Sequence, residues 1–245
     1  MQKIAITNQK GGVGKTVTAL NLAHGLARKK KRTLLIDFDS QASMTSILFR
    51  DPVERSVYDL LTAGGRPGDY VTELQQKDGL LFLPSDSRLA RIESTQAKDK
   101  GKLLSRALAD LRGFDYVIID CPPSLGLLTV NALAFAAGVI IPVKTDYLSL
   151  QGIVKINDLV EIVRDGLNPG LKIRGYLPCQ YDRRRVLDNE VLSIIWRRFE
   201  RVYKPIRQNI SVGESPSWGK SIFEYRPGST GAKDYDGLVR EILKS

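Results

Sequence analysis

The chain has 245 residues, of which 42% are hydrophobic and 26% are charged, a composition typical of a globular protein and unlike that of a disordered chain. Lysine and arginine outnumber the acids by 37 to 27, and the net charge of +10 favours a polyanionic partner such as nucleic acid or an acidic membrane. The sequence shows neither a signal-peptide pattern nor the run of about 20 apolar residues that crosses a bilayer. Its two cysteines, Cys121 and Cys179, fit a reducing compartment and provide no disulfide framework.

Short apolar runs rich in β-branched residues alternate with helical patterns along the chain. Near-continuous apolar strands separated by helices predict a mostly parallel sheet covered on both faces, in which ligands bind at the carboxyl ends of the strands. We therefore expect a single α/β domain over residues 1–245, with helices on both faces of the sheet. The predicted strands are residues 3–7, 33–37, 80–83, 116–120, 139–143 and 173–177.

The first predicted strand leads into NQKGGVGKTV, residues 8–17, and then into a helical pattern over residues 16–31. This order of strand, glycine-rich loop and helix is the context of a phosphate-binding loop. Glycines let backbone N–H groups point at phosphate oxygens, and the helix adds its positive end. The usual leading glycine is replaced by Gln9, and an extra lysine, Lys10, follows it. The phosphate-binding residues expected here are Lys10, Gly11, Gly12, Val13, Gly14, Lys15, Thr16 and Val17.

Within this loop, Lys15 is expected to neutralise the β- and γ-phosphates, and the hydroxyl of Thr16 is placed for Mg²⁺. The alternative is a glycine-rich turn with incidental lysines. Many positions match the phosphate-loop pattern, and they lie between a predicted strand and a predicted helix. Both facts argue against that alternative.

Carboxylates end two of the later strands. Asp37 and Asp39 in LLIDFDSQ are two residues apart and share a face of an extended strand, while YVIID ends in Asp120. Such groups near Mg²⁺ hold its water shell or orient an attacking water. For the first pair the alternative is two solvated turn aspartates. An acid that finishes a buried strand, like Asp120, needs a compensating charge. The sharp connection over residues 122–126 is expected to respond to the γ-phosphate.

Three motifs together resemble those of the ParA/MinD group of deviant Walker ATPases: KGGVGKT, LLIDFDSQAS and YVIIDCPPSLG. Four further stretches narrow the resemblance to the ParA (Soj-like) branch: SVYDLL, LFLPSDSRLARIE, YDRR and ESPSWGKSIFEYRPGSTGAKDY. It spans nearly the whole chain. The resemblance implies a P-loop NTPase fold with a deviant Walker A loop, ATP hydrolysis, and ATP and Mg²⁺ as cofactors.

The resemblance also gives Lys10 a role, as the signature lysine that reaches across a homodimer to the phosphates bound by the other subunit. A cation from the partner completes the site only when ATP and both subunits are present. By the same resemblance Asp39 orients the attacking water, Asp37 lies nearby and Asp120 is the Walker B carboxylate. The implied catalytic residues are Lys10, Lys15 and Asp39. The implied magnesium residues, some acting through water, are Thr16, Asp37, Asp39 and Asp120.

Further along the chain, the resemblance places Glu214, Pro216 and Ser217 near the adenine or the dimer seam. Two departures from the family pattern stand out. Val17 replaces a hydroxyl residue, although its backbone N–H remains available. Cys179 and Gln180 stand where threonine or asparagine is common, which puts base contacts from that strand in doubt.

The positive charge is concentrated between Leu171 and Ile210, where ten lysines and arginines face four acids, a balance of +6. In VLDNEVLSIIWRRFERVYK the pattern predicts a helix on which Arg197, Arg201 and Lys204 share one stripe. The apolar side of that helix would carry Leu187, Val191, Ile195 and Val202. A basic stripe without interleaved acids favours phosphate contact without base reading; the alternative is a solvated charged face. ParA relatives bind DNA non-specifically as ATP dimers, so the resemblance favours double-stranded DNA. The expected DNA-binding residues are Arg184, Arg197, Arg201, Lys204, Arg207 and Arg226.

Three other functions compete with this interpretation. A MinD-like membrane ATPase would end in an amphipathic membrane helix, whereas Tyr235, Leu238, Val239 and Ile242 look like a core-facing stripe, so no membrane partner is expected. An electron-transfer ATPase resembling the nitrogenase iron protein would need differently spaced cysteines. A small-molecule synthetase such as dethiobiotin synthetase is disfavoured by Lys10 and the basic final third.

We therefore expect a cytoplasmic, nucleoid-associated ATPase that dimerises on ATP and carries no N-terminal helix-turn-helix domain. A ParB-like or other adaptor protein would stimulate its hydrolysis. The system would position a plasmid, a chromosome origin or a protein assembly.

Overall fold

The computed structural model describes residues 1–97 and 99–244. Eight strands form one sheet in the order β3-β4-β2-β5-β1-β6-β7-β8, and every neighbouring pair is parallel except β3 with β4. The strands are β1 (Gln2–Ile6), β2 (Thr33–Asp37), β3 (Thr72–Leu74), β4 (Leu80–Leu83), β5 (Tyr116–Asp120), β6 (Gly138–Lys144), β7 (Lys172–Tyr181) and β8 (Ile206–Arg207). This sheet confirms the predicted fold class.

Helices cover both faces of the sheet. One apolar core lies between the sheet and α3 to α7, and a second lies between the sheet and α1, α2, α9 and α10. The helices are α1 (Lys15–Arg28), α2 (Ser43–Leu48), α3 (Val57–Ala63), α4 (Leu103–Ala107), α5 (Leu127–Phe135), α6 (Tyr147–Gly166), α7 (Val186–Arg198), α8 (Ile210–Glu214), α9 (Ile222–Tyr225) and α10 (Thr230–Lys244). Every residue of β2 and β5 is buried, as expected for strands covered on both sides.

The predicted strands 33–37, 80–83 and 116–120 coincide with β2, β4 and β5, whereas β6 and β7 extend beyond their predicted limits. The prediction missed β3 and β8. These edge strands have three and two residues, too few to show an alternating pattern.

Helix α1 ends at Arg28, so the predicted limit of residue 31 was wrong. Lys30 adopts a left-handed conformation with φ of 60°. The N–H groups of Lys30 and Lys31 donate back to the carbonyls of Ala27 and Leu26. These bonds close the helix one turn early in the manner of a Schellman end.

The predicted helix over residues 186–204 was also too long, because α7 ends at Arg198. Residues 199–204 run beside β7 instead: the ring of Phe199 lies 4.1 Å from that of Tyr176, and the N–H of Tyr203 donates to the Tyr176 carbonyl. Pro205 also disfavours a helical conformation at the residue before it. The stripe of Arg197, Arg201 and Lys204 therefore does not exist as one helix face. Leu187, predicted in the apolar side, is 42% exposed.

The last helix bears out its predicted pattern, because Tyr235, Leu238, Val239 and Ile242 are all buried. None of the helices in the described part of the chain combines the length and apolar character that crossing a membrane would require.

Candidate functional site

The glycine-rich loop connects the end of β1 to the start of α1, in the centre of the sheet. Gly12 and Gly14 have φ of 71° and 94°, a left-handed conformation that side-chain-bearing residues rarely adopt. No side chain caps the N-terminus of α1, so its first N–H groups remain directed at the loop. A loop with this geometry is suited to an anionic ligand.

Lys15 lies folded over this loop, and only 7% of its surface is exposed. Its ammonium donates to the carbonyl of Lys10 at 3.1 Å. Burial lowers the pKa of Lys15, while the negative charges of Asp120 and Asp39 oppose that shift. A buried cation above a phosphate loop provides a strong electrostatic contact for a phosphate.

Lys10 pairs within its own chain. Its ammonium lies 2.8 Å from both carboxylate oxygens of Asp146 and 3.2 Å from the hydroxyl of Ser149. Asp146 also caps α6 by accepting the Ser149 N–H. Although partial burial opposes the shift, hydrogen bonds from Lys10 and Ser149 lower the pKa of Asp146. No local sequence pattern indicates this pairing, because 136 residues separate the two partners.

Asp37 is fully buried at the end of β2 and accepts three hydrogen bonds. One carboxylate oxygen accepts the backbone N–H of Asp39 at 3.2 Å, and the other accepts the N–H and hydroxyl of Thr45 at 2.9 and 2.8 Å. Burial raises the pKa of Asp37 to about 6, although these hydrogen bonds act in the opposite direction. Asp37 is therefore chiefly engaged in holding the loop that follows it.

Asp39 lies in that loop and is 8% exposed. One of its carboxylate oxygens accepts the N–H of Gln41 at 2.9 Å, and its backbone carbonyl accepts the Ser85 hydroxyl at 2.8 Å. The loop is thus fixed from both sides. A carboxylate held in this way can orient a water molecule.

Asp120 ends β5 and lies beside Asp37 in the sheet register. It is 1% exposed, and within the described residues its Oδ1 has no hydrogen-bond partner. Burial first, and then the charge of Asp37, raise the pKa of Asp120 well above its ordinary value, while the Thr16 hydroxyl and Lys15 oppose the shift. An orphaned buried carboxylate oxygen needs a cation or a proton.

These residues fit Mg²⁺. The Asp120 oxygen and the Thr16 hydroxyl are hard oxygen donors at the phosphate loop, and Mg²⁺ takes one or two protein ligands together with phosphates and waters. Residues 1–97 and 99–244 contain no cluster of three or more acidic, histidine or cysteine side chains that could hold a metal ion.

Gln180, which departs from the family pattern, also contacts the phosphate loop. Its side-chain amide donates to the carbonyl of Gly12 at 2.8 Å. Gln180 has a left-handed φ of 58° at the end of β7, and its neighbour Cys179 is buried 3.8 Å from the position that a Gly14 side chain would take. Burial raises the pKa of the Cys179 thiol to about 12, so this thiol is an inert packing group.

The segment with Glu214, Pro216 and Ser217 lies just before two residues that contact α1, Ser221 and Ile222. The N–H of Ile222, at the start of α9, donates to the buried side chain of Asn21 at 2.7 Å. The Glu214 carboxylate accepts the Tyr225 hydroxyl at 3.0 Å. The sole histidine, His24, is buried in α1 and its Nδ1 lies 2.6 Å from the Ser221 hydroxyl. Ser221 and Ile222, which follow the segment, are thus attached to the helix that follows the phosphate loop.

All six expected DNA-binding residues are exposed, but they are not equivalent. Arg184 pairs with Asp182 at 2.8 Å, and Arg207 pairs with Asp234 at 2.6 Å. The ion pair lowers the pKa of Asp182 to about 2. Arg184 and Arg207 line one open hollow of about 630 Å³ together with Tyr181, Arg183, Arg185 and Ile210.

The remaining four expected residues, Arg197, Arg201, Lys204 and Arg226, do not line this hollow. The structure therefore brings two of the six together. Arg183 and Arg185, which are not among the six expected DNA-binding residues, also line the hollow.

Comparison with known proteins places this geometry in a family. Residues 1–173 match the family model described as an AAA domain. The chromosome-partitioning ATPase Soj of Thermus thermophilus is 42% identical over 99% of this chain and 96% of its own length.

Two solved structures share the fold over nearly the whole chain. A Mycobacterium smegmatis structure described as cobyrinic acid a,c-diamide synthase with bound ADP and magnesium is 33% identical, covers 100% of this chain and 94% of its own, and has a TM-score of 0.86. A putative plasmid partition protein of Borrelia burgdorferi bound to AMPPNP is 25% identical, with a TM-score of 0.87 and coverage of 99% and 98%. The phosphate loop, the carboxylates behind it and the full-length similarity to Soj together show that this chain belongs to the Soj/ParA family of partition ATPases.

Proposed function

We propose that the chain is a Mg²⁺-dependent partition ATPase that binds ATP at the loop of residues 10–17. The observation that carries this proposal is the buried constellation of Lys15, at the start of α1, with Asp37 and Asp120 at the carboxyl ends of adjacent strands. Lys15, the loop N–H groups and Val17 would bind the phosphates, while Thr16 and Asp120 would hold the metal. Bound magnesium neutralises phosphate charge.

Asp39 is the proposed water-orienting residue. Its carboxylate is almost buried and its backbone is held by Ser85 and Asp37. A fixed carboxylate can accept a proton from, or align, a water that attacks the γ-phosphate. Asp37 would act mainly by holding this loop. Glu214, Pro216 and Ser217 would border the adenine or the dimer seam.

Dimerisation is proposed to depend on Lys10. In one chain its ammonium has a ready partner in Asp146, so an exchange of partners is needed before it can reach another subunit. A nucleoside triphosphate carries several negative charges and competes well for an ammonium that is 31% exposed. ATP would thus join two copies, and hydrolysis would release them.

Non-specific DNA binding is proposed for the basic surface of residues 171–210, together with Arg226. Its charge balance of +6 and the arginine-lined hollow support contact with phosphates rather than with base edges. A dimer presents this surface twice, so its affinity exceeds that of the monomer by avidity. Nucleotide state would therefore control DNA occupancy.

The proposed cellular role is cargo positioning on the nucleoid in the cytoplasm. A ParB-like or other adaptor would stimulate hydrolysis and so release the ATPase from DNA near the cargo, which is a plasmid, a chromosome origin or a protein assembly. Identity to the partition ATPase of Thermus thermophilus is 42%, against 33% for the mycobacterial synthase structure. Partition is therefore proposed in preference to amide synthesis.

The test is binding to duplex DNA of unrelated sequences with ATP, with ADP and without nucleotide, across a salt series. The proposal expects sequence-independent binding only with ATP, weakening steeply as salt rises. Equal binding in all three states would refute control by nucleotide. Absence of binding in every state would refute DNA as the partner.

A further inference from the structure

Ser85, just after β4, is buried against the loop that carries Asp39. Only 1% of its surface is exposed. Its hydroxyl donates to the Asp39 carbonyl at 2.8 Å, and its N–H donates to the Thr45 hydroxyl at 2.9 Å. That hydroxyl in turn donates to Asp37 at 2.8 Å. The four residues form a closed, buried hydrogen-bond ring, and Ser85 is the only member from outside residues 37–45.

Glu93, eight residues further on, contacts a different part of the site. Its carboxylate accepts the N–H groups of Leu127 at 2.7 Å and Leu128 at 3.3 Å. These are the first residues of α5, directly after the loop 121–126 that follows Asp120. A carboxylate at a helix N-terminus satisfies free N–H groups and opposes the positive end of the dipole. Glu93 therefore fixes the position at which this loop ends.

The chain between these two anchor points is stiff. Ser87–Ser94 forms a 3₁₀ helix, and its residues Leu89 and Ile92 are buried. Arg88 donates to both Asp86 and Asp59 at 2.7 Å, which ties the segment to α3. A displacement at one anchor would therefore be transmitted to the other.

We infer that residues 85–93 form a strap that couples the Asp39 loop to the loop after Asp120, with Ser85 and Glu93 as positioning residues for ATP hydrolysis. The strap fixes the position of each loop relative to the other. A shift of either loop on the γ-phosphate side therefore displaces the other loop. This inference rests on the proposed role of Asp39. No contact between Ser85 or Glu93 and the nucleotide is required.

The Ser85 anchor is tested by steady-state ATP hydrolysis of Ser85→Ala, Asp39→Ala and the double variant. Ser85→Ala is expected to lower kcat about 10-fold with KM changed less than threefold, because the loop loses its support and the phosphate site does not. In the Asp39→Ala background it should cause no further loss. Ser46→Ala is the matched control, since its hydroxyl donates to the Ala42 carbonyl on the exposed side of the same loop.

The outcomes separate the two ideas. Normal hydrolysis by Asp39→Ala would refute the proposed role of Asp39. Slow hydrolysis by Asp39→Ala with a normal kcat for Ser85→Ala would overturn the strap alone. Equal melting temperatures of Ser85→Ala and Ser46→Ala would show that a lower kcat does not reflect unfolding.

The Glu93 anchor is tested with Gly126, whose φ of −80° suits alanine. A side chain there would meet both Glu93 carboxylate oxygens at 2.7 Å and displace them. Gly126→Ala and Glu93→Ala are therefore expected to lower kcat by the same factor, about threefold to tenfold, and the double variant by no more. Glu93→Gln, which keeps an acceptor oxygen, should recover part of the loss. Glu54→Ala is the control for loss of an exposed carboxylate. An unchanged kcat in both Gly126→Ala and Glu93→Ala would overturn the inference.

Discussion

The phosphate-loop end of the sheet and the basic surface of the last third hold their charges in opposite ways. Lys15, Asp37 and Asp120 are at most 7% exposed and are fixed by the strands and the helix that carry them. The side chain of Arg184, by contrast, is 84% exposed and is paired with its neighbour Asp182. Burial makes each charge in the first region depend on the others. In the second region the charges are exposed to water, which screens them, so each substitution is expected to have a small effect.

The largest effect is expected from Lys15→Ala. Removal of a buried ammonium from the phosphate loop should weaken ATP binding about 100-fold or more, because a charge-assisted contact of about 3 kcal/mol is lost. Titration calorimetry with Mg²⁺-ATP measures this directly. Lys31→Ala, beyond the other end of α1, is the control and should bind ATP normally. Comparable losses in both variants would show that burial does not distinguish the two lysines.

The pH dependence of stability also distinguishes the buried region from the exposed one. Because the pKa of Asp37 is raised from 3.8 to about 6 in the folded state, the folded protein binds more protons than the unfolded chain between pH 4 and 6. Stability from this group therefore falls as pH rises through that window, by about 3 kcal/mol in total. Asp37→Asn lacks this loss, so relative to wild type it should gain about 2–3 kcal/mol between pH 4 and 7.

Urea unfolding at several pH values measures that difference. The exposed Asp51→Asn is the control, and its stability should stay parallel to wild type across the range. A constant difference between Asp37→Asn and wild type would contradict the raised pKa of Asp37.

The smallest effects are expected on the basic surface. Arg201→Ala should reduce the slope of log affinity for DNA against log salt by about one, as for one lost phosphate contact. Arg207→Ala should reduce it less, because Asp234 already pairs with Arg207. Fluorescence anisotropy with one duplex at four salt concentrations distinguishes them. Equal slopes for the two variants would show that ion pairing does not set their contribution.

The contrast between the buried phosphate-loop region and the exposed basic surface also explains which features could be predicted from the sequence. Strands β2, β4 and β5 were predicted to the residue because their apolar runs have sharp limits, set by charged or polar residues in β2 and β5 and by Gly79 and Pro84 in β4. The positions of the glycine-rich loop after β1 and of Asp120 at the end of β5 could be predicted because they depend on local sequence order. The placement of Lys10 on Asp146, of Gln180 on Gly12 and of Ser85 on Asp39 depends on side chains distant in sequence, for which no local pattern exists.

The basic helix shows the opposite failure. Arg197, Arg201 and Lys204 have helical spacing, yet the packing of Phe199 on Tyr176 ends α7 at Arg198. A tertiary contact therefore ended the helix, although the spacing of the three basic residues was helical. Charge spacing on an exposed segment carries little information unless the extent of the helix is known.

Dimerisation is proposed to depend on Lys10, which leaves Asp146 to complete a nucleotide site in a second copy. The most direct test is light scattering of wild type and Lys10→Ala with Mg²⁺ and AMPPNP, and with ADP. Wild type is expected to rise from 27.3 kDa to about twice that mass only with AMPPNP, whereas Lys10→Ala should remain at 27.3 kDa although it still binds the analogue. A Lys10→Ala protein that doubles its mass as readily as wild type would refute the proposed exchange of Lys10 between subunits.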